Sequence, residues 1–251
     1  MFESRFEYLL RLGDNALILS QRLSEWCGHA PAIEEDIAVA NIALDLIGQA
    51  KLWLELAGNI ENQQRSADDL AFLRDVLDFR NLLLVERPNF DYGHTMVRQF
   101  LFDSYHKLLL NSLSFSKNEN ISAIATKAHK EVSYHLERSS ETVISLGDGT
   151  EESNKRVQEA LDNLWPYVGE MFLDDKIDIT NFELGYGPLP SSLESTYLLE
   201  ISEILKKAFL ETPKNKFVHT GGKSGHMHTE DLGYILAQMQ YLQRSYPEAS
   251  W

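Results

Sequence analysis

The chain has 251 residues, 43% of them hydrophobic and 24% charged, and carries 23 Lys and Arg against 38 Asp and Glu, for a net charge of −15. Such a chain is globular and long enough to bury a sizeable core within one domain, predicted over residues 1–251. The acidic balance argues against a nucleic-acid binder, which needs a basic face, and against docking on an anionic membrane; it leaves room for an anionic ligand met by local cations or by a partner subunit.

Apolar residues recur at helical spacing nearly throughout. The start, MFESRFEYLLRLGDN, has early acids and no basic segment, so it does not read as a signal peptide. Phe6, Leu9, Leu10, Leu17, Leu19 and Leu23 predict a first helix over about 4–27, softly interrupted at Gly13. Cys27 lies at its end, in E-W-C-G-H. As the single cysteine it cannot form an intrachain disulfide, which fits a reducing cytoplasm. A nucleophilic Cys–His pair has to be weighed here, but the expected place for such a thiol is the core.

Pro31 opens a second helix, with Glu34, Glu35 and Asp36 in its first turn and a stop at Gly58-Asn59. Ser66 is an N-cap before a shorter helix to about Asp78, and R-P-N-F is a break. Further helices are predicted over 91–115, 119–146, 151–172 and 191–210, with 174–190 as an irregular loop. HTGGKSGHMHTE is a glycine-rich loop, and Thr229 caps a last helix through Leu242. No alternating strand pattern appears, and no uninterrupted apolar run approaches the ~18 residues of a membrane span. Trp26, Trp53, Trp165 and Trp251 are core or interface by default.

The four long helices come as two pairs separated by a connection of more than thirty residues. That layout predicts an all-α, ferritin-like four-helix bundle with additional packed helices. A carboxylate-bridged di-metal site in such a bundle takes one Glu from each of two helices and Glu-x-x-His from each of the other two. Four carboxylates and two imidazoles suit two iron or manganese ions. Positions i and i+3 differ by roughly 60° around the axis, so that motif shares a helix face.

The first helix offers Glu25. On the second, Leu46 and Gln49 occupy the Glu-x-x-His slot, with Asp45 one place early. The fourth long segment offers Asp103 within F-L-F-D-S-Y-H, a buried carboxyl that needs a partner. The last slot is Val132-Ser-Tyr-His135, with Glu131 one place early, an acidic neighbour beside Lys130. Ligand-type side chains thus stand at Glu25, Asp103 and His135, and are lost at Leu46, Gln49 and Val132. Two metals would lack bridging groups and charge balance. The expectation is no metal and no catalytic residue in this chain, with Asp103, His135 and Glu25 in a buried hydrogen-bonded network and Asp103 the first candidate partner of His135.

In the glycine-rich loop, His219, His226 and His228 stand beside Lys223. H-x-H in a loop can bind zinc, but no Cys or closing carboxylate motif accompanies it. G-G-K-S-G lacks the spacing of a phosphate loop. A structural or partner-contacting loop is the expectation.

R-L-G-D-N-A-L-I-L-S-Q-R-L-S-E-W-C-G-H-A-P, A-N-I-A-L-D-L-I-G-Q-A, N-L-L-L-V-E-R-P-N, K-E-V-S-Y-H-L and T-G-G-K-S-G-H-M-H-T-E-D-L-G resemble, in order from about residue 8 to the C-terminus, the structural-subunit family of bacterial phenylacetyl-CoA epoxidases. The resemblance implies a ferritin-like structural subunit without catalytic metal. It pairs with a paralogous catalytic subunit whose di-iron centre inserts one oxygen atom into the ring of phenylacetyl-CoA, giving the ring-1,2-epoxide in aerobic phenylacetate degradation. Other subunits bridge the complex, and a reductase supplies electrons from NADPH. It also implies that the CoA substrate lies near the subunit boundary, contacted from this side by Asp78, Phe79, Arg80 and Asn81 and by Ile179, Thr180 and Asn181. Physically, Arg80 can meet a phosphate bidentately; the alternative is that D-F-R-N simply ends a helix. Two other readings stay open. One is a self-contained metal oxidase with an atypical site at Glu25, Asp103 and His135. The other is a helical adaptor unrelated to aromatic metabolism.

Overall fold

The computed structural model describes all residues except Met1, Asn62, Glu248, Ser250 and Trp251. Every regular element among the described residues is helical. In chain order the α-helices are α1 (Phe2–Ser24), α2 (Ile33–Glu61), α3 (Ala67–Phe72), α4 (Leu83–Glu86), α5 (Tyr92–Leu113), α6 (Glu119–Gly147), α7 (Glu151–Leu164), α8 (Lys176–Glu183), α9 (Glu194–Lys207), α10 (Glu230–Met239) and α11 (Tyr241–Ser245). The all-α, ferritin-like class read from the sequence holds, with its long helices paired through short connections. The chain divides into two compact units, Met1–Arg87 with Gly221–Trp251, and Pro88–Thr220.

In the first unit, α1 and α2 form an antiparallel hairpin around Leu9, Leu10, Ile18, Leu19, Ile42, Leu46, Trp53 and Leu54. α1 runs unbroken through Gly13, whose missing Cβ lets Leu54 pack against it; a Cβ would meet its Cδ2 at 2.8 Å. By length and composition α2 could cross a membrane, but half of its most apolar window is buried within the protein.

The predicted end of the first helix is three residues late. Residues 25–29 form turns, and the Asp36 carboxylate accepts from the Gly28 and Ala30 amides at 2.8 and 3.3 Å. Cys27 is therefore exposed on a turn, which corrects the core expectation. Native protein is expected to react stoichiometrically with a maleimide at Cys27 without denaturant. A thiol that is labelled only after unfolding would contradict this placement.

Gly58 does not stop α2. It lets the chain return closely, since a Cβ there would come within 2.2 Å of the Arg65 carbonyl oxygen. Ser66 caps α3 as expected, in a box with Asp69, but α3 ends at Phe72 and not near Asp78. The segment after it is tied to α1. Arg74 forks onto Asp14, the Arg80 amide donates to Asp14 at 2.9 Å, and the Leu82 amide donates to Asn15 Oδ1 at 2.8 Å. The Arg74 guanidinium also lies 4.2 Å from the Phe79 ring centroid.

In the second unit, α5 and α6 form another hairpin, with α7 and α9 packed on it. α5 is buried without a break from His94 to His106. Pro166 ends the predicted 151–172 helix early, and two 3-10 turns, Trp165–Tyr167 and Gly169–Phe172, complete the span. The expected irregular loop over 174–190 contains α8, started by Asp175 and Asp178 as a capping box. That helix-start signal is genuine, and the following G-Y-G-P-L-P hides it in the sequence. A 3-10 turn, Pro190–Leu193, precedes α9. The last helix, in the first unit, divides at Gln240, whose amide donates to the Ala71 and Arg74 carbonyls at 3.1 and 2.9 Å. Trp53 is fully buried, Trp26 and Trp165 are half-buried, and Trp251 lies outside the described residues.

Candidate functional site

Helical spacing puts Gln99, Asp103 and His106 on one face of α5, and Val132, His135 and Ser139 on one face of α6. All six are buried. Gln99 Nε2 donates to Asp103 Oδ1 at 2.7 Å, and Ser139 Oγ donates to Asp103 Oδ2 at 2.9 Å. The hydrogen-bond partners of Asp103 are thus Gln99 and Ser139, where His135 was the first candidate. Burial pushes the Asp103 carboxyl up to about 8, against the opposing pull of these two donors. Burial also drives His106 down to about 3, and nearby His135 acts in the same direction. The centre of this unit therefore holds a neutral acid and a neutral imidazole at neutral pH. Val132 fills the neighbouring place with an apolar side chain that is fully buried.

In the first unit, Glu25 lies just past α1, exposed, and accepts from Arg22 at 2.9 Å. Leu46 and Gln49 are buried on α2, and Asp45 is half-buried. Glu131, in the second unit, lies 3.9 Å from Lys127, one turn back. Among the described residues, no group of three or more His, Cys, Asp or Glu side chains gathers closely enough to hold a metal ion.

A second buried polar cluster of the first unit, beside the one at Asp14, leaves no local signal in the sequence. Glu86, on α4, is fully buried. Its Oε1 faces His228 Nδ1 at 2.5 Å and accepts from Asn81 Nδ2 at 2.8 Å. Its Oε2 accepts from the Thr229 amide at 2.8 Å and the Thr229 hydroxyl at 2.7 Å. Thr229 does begin α10, but its hydroxyl goes to Glu86 and not to the helix. His228 Nε2 faces the Phe79 carbonyl at 3.1 Å. The glycine-rich loop is thus clamped onto the stretch from Leu77 to Glu86. At Gly225, with φ of 69°, a Cβ would strike the Arg80 guanidinium at 2.2 Å. This use of the loop agrees with the structural role expected for it.

Within D-F-R-N, Asp78 is exposed, Phe79 and Asn81 are buried, and Arg80 is half-buried. The Arg80 guanidinium is engaged by Glu7 and by the carbonyls of Leu77 and Phe79 at 2.8 and 2.9 Å. In the second unit, Ile179, Thr180 and Asn181 lie on α8. Ile179 is exposed, Thr180 is half-buried and donates to the Lys176 carbonyl at 2.7 Å, and Asn181 is buried. Gln99, Ser139 and His106 could have been found as polar residues at helical spacing in apolar runs. Glu86 and His228, 142 residues apart, leave no such local signal.

An all-α chain whose long helices pair as hairpins is a ferritin-like protein. The particular family follows from comparison. The chain matches, over residues 2–251, the family described as phenylacetic acid catabolic protein, and it belongs to that family. It is 45% identical over 244 residues to the C component of the 1,2-phenylacetyl-CoA epoxidase of Escherichia coli (strain K12), covering 97% of this chain and 98% of that one. The chain is accordingly a protein of phenylacetate catabolism, similar to one component of a multi-subunit epoxidase.

Proposed function

We infer that this chain is a structural, non-catalytic subunit of a cytoplasmic phenylacetyl-CoA epoxidase. It pairs with and supports a paralogous subunit that carries the di-iron centre and forms the ring-1,2-epoxide, while a reductase subunit passes on electrons from NADPH. The observation that carries this reading is the chemistry of the buried ligand positions. Leu46 and Val132, which the family resemblance places at ligand-carboxylate positions, are apolar and buried, each within its own unit. Asp103 is held neutral by burial with both oxygens already engaged, and Glu25 is exposed and paired with Arg22. Side chains of this chemistry do not supply the carboxylates and imidazoles that a di-iron centre takes.

On this reading Asp78 and Arg80 on one stretch, and Ile179 and Thr180 on another, are the residues that can meet substrate, each within its own unit; Phe79, Asn81 and Asn181, also expected as contacts, are fully buried and can only support their neighbours. Asp78 and Ile179 present exposed atoms, and Arg80 can take a CoA phosphate by exchanging Glu7 for it. The test is co-expression with the di-iron paralogue, followed by metal analysis of each isolated chain and of the complex. Iron is expected with the paralogue and in the complex, with far less than one equivalent in this chain alone. Stoichiometric iron or manganese in the isolated chain, with activity lost in His135→Ala, would support the self-contained oxidase instead.

A further inference from the structure

α2 is apolar on two opposite faces. Its inner face, with Val39, Ile42, Leu46 and Trp53, is buried. Its outer face carries Ile33, Ile37, Leu44 and Ile47, which are 72%, 56%, 64% and 39% exposed. With Ala40 among them, these positions are spaced by four, three, four and three residues. That alternation is the seam of a helix that packs along another helix. A helix apolar all round belongs in an interior, so the outer seam calls for a cover.

Three kinds of cover are distinguished by length and charge. The seam spans roughly 21 Å at 1.5 Å per residue, short of the roughly 30 Å of a bilayer core. Acidic Glu34 and Asp45 lie along one side of it and Asp36 along the other, with Lys51 in line at its far end, so an anionic bilayer surface is repelled. A second copy would bring the same acidic border and the same net charge of −15. A helix from a different chain, apolar along its centre and edged by Lys or Arg, complements both the seam and its border.

We propose that the outer face of α2, from Ile33 to Ile47, is the docking seam for such a basic-edged helix of the catalytic partner subunit. The proposal rests on the partner-subunit reading above and specifies where on this chain the partner sits.

The experiment measures the affinity of the full chain for the purified di-iron paralogue, with wild type, Leu44→Glu and Ile37→Glu compared at two salt concentrations. Because both side chains are exposed, circular dichroism and thermal midpoint of the isolated variants are expected to match wild type. Each substitution is expected to weaken binding by at least about 30-fold, the size of a central interface residue. Wild-type binding should also weaken as salt rises. As an independent measurement, Leu44→Cys in a Cys27→Ser background carries an environment-sensitive dye. Its emission is expected to shift to the blue on adding the paralogue, and not with anionic vesicles or with unlabelled copies of the chain. Wild-type binding with Glu variants within about twofold of it overturns the seam and leaves the partner-subunit reading standing. A wild-type chain that does not bind the paralogue overturns both. A dye response to vesicles or to the chain itself overturns the assignment of the occupant.

Discussion

Glu86→Ala is expected to destabilise the chain by about 3–5 kcal/mol, the range for removing one partner of a buried charged cluster. The Glu86 carboxylate gathers Asn81, His228 and both donors of Thr229 in a place without solvent. Truncation leaves those groups buried without their acceptor, and the lost hydrogen bonds are not replaced by water. Glu86→Gln keeps the volume and one carbonyl oxygen, so a smaller loss is expected from it. The measurement is urea unfolding followed by circular dichroism, with limited proteolysis reporting on the loop from Gly221 to Thr229. Glu86→Ala should be cut in that loop well before wild type. A loss under about 1 kcal/mol, with no change in cleavage, would mean that the cluster does not hold the loop.

The second large effect is on the pH dependence of stability. Asp103 goes from an ordinary value of 3.8 to about 8 on folding, and His106 from 6.5 to about 3. Consider the protons bound by this pair in each state. Between about pH 4 and 6.5, the unfolded pair holds one proton on His106 and the folded pair holds one on Asp103, so their joint contribution is flat. Between about 6.5 and 8 the unfolded pair holds none and the folded pair one, so stability falls as pH rises. Below about 4 the unfolded pair takes up a second proton that the folded pair does not, so stability falls as pH drops.

Asp103→Asn removes the alkaline decline. It is expected to unfold later than wild type at pH 8.5, by an amount on the order of a few kcal/mol, and to lose that advantage toward pH 4. His106→Gln should weaken the acid decline in the same way. Thermal unfolding of the isolated chain across pH 3 to 9 decides it. Parallel wild-type and Asp103→Asn profiles above pH 6.5 would show that the carboxyl is not buried as a neutral acid.

The helical class, the two long hairpins and the Ser66 cap were all legible in the amino-acid order. Those features depend on periodicity and on caps that act within one turn, both local in the chain. The same order carried the family resemblance, which the match over residues 2–251 bears out.

Partners and exposures needed the tertiary structure. Helical spacing points Asp103 inward, but only the packing of α6 on α5 brings Ser139 to it and leaves Gln99 as its second donor. The exposure of Cys27 follows from Asp36 holding the turn behind α1, a contact the apolar pattern does not encode. Asp14 with Arg74, and Glu86 with His228, lie 60 and 142 residues apart. Such pairs form because a buried polar or charged group has to find a hydrogen-bonding partner wherever folding brings one, and separation along the chain has no part in that choice. The outer seam of α2 shows the same limit from the other side. Its residue types and spacing are plain in the sequence, but that it stays uncovered while the inner face is buried is decided by how the rest of the chain packs.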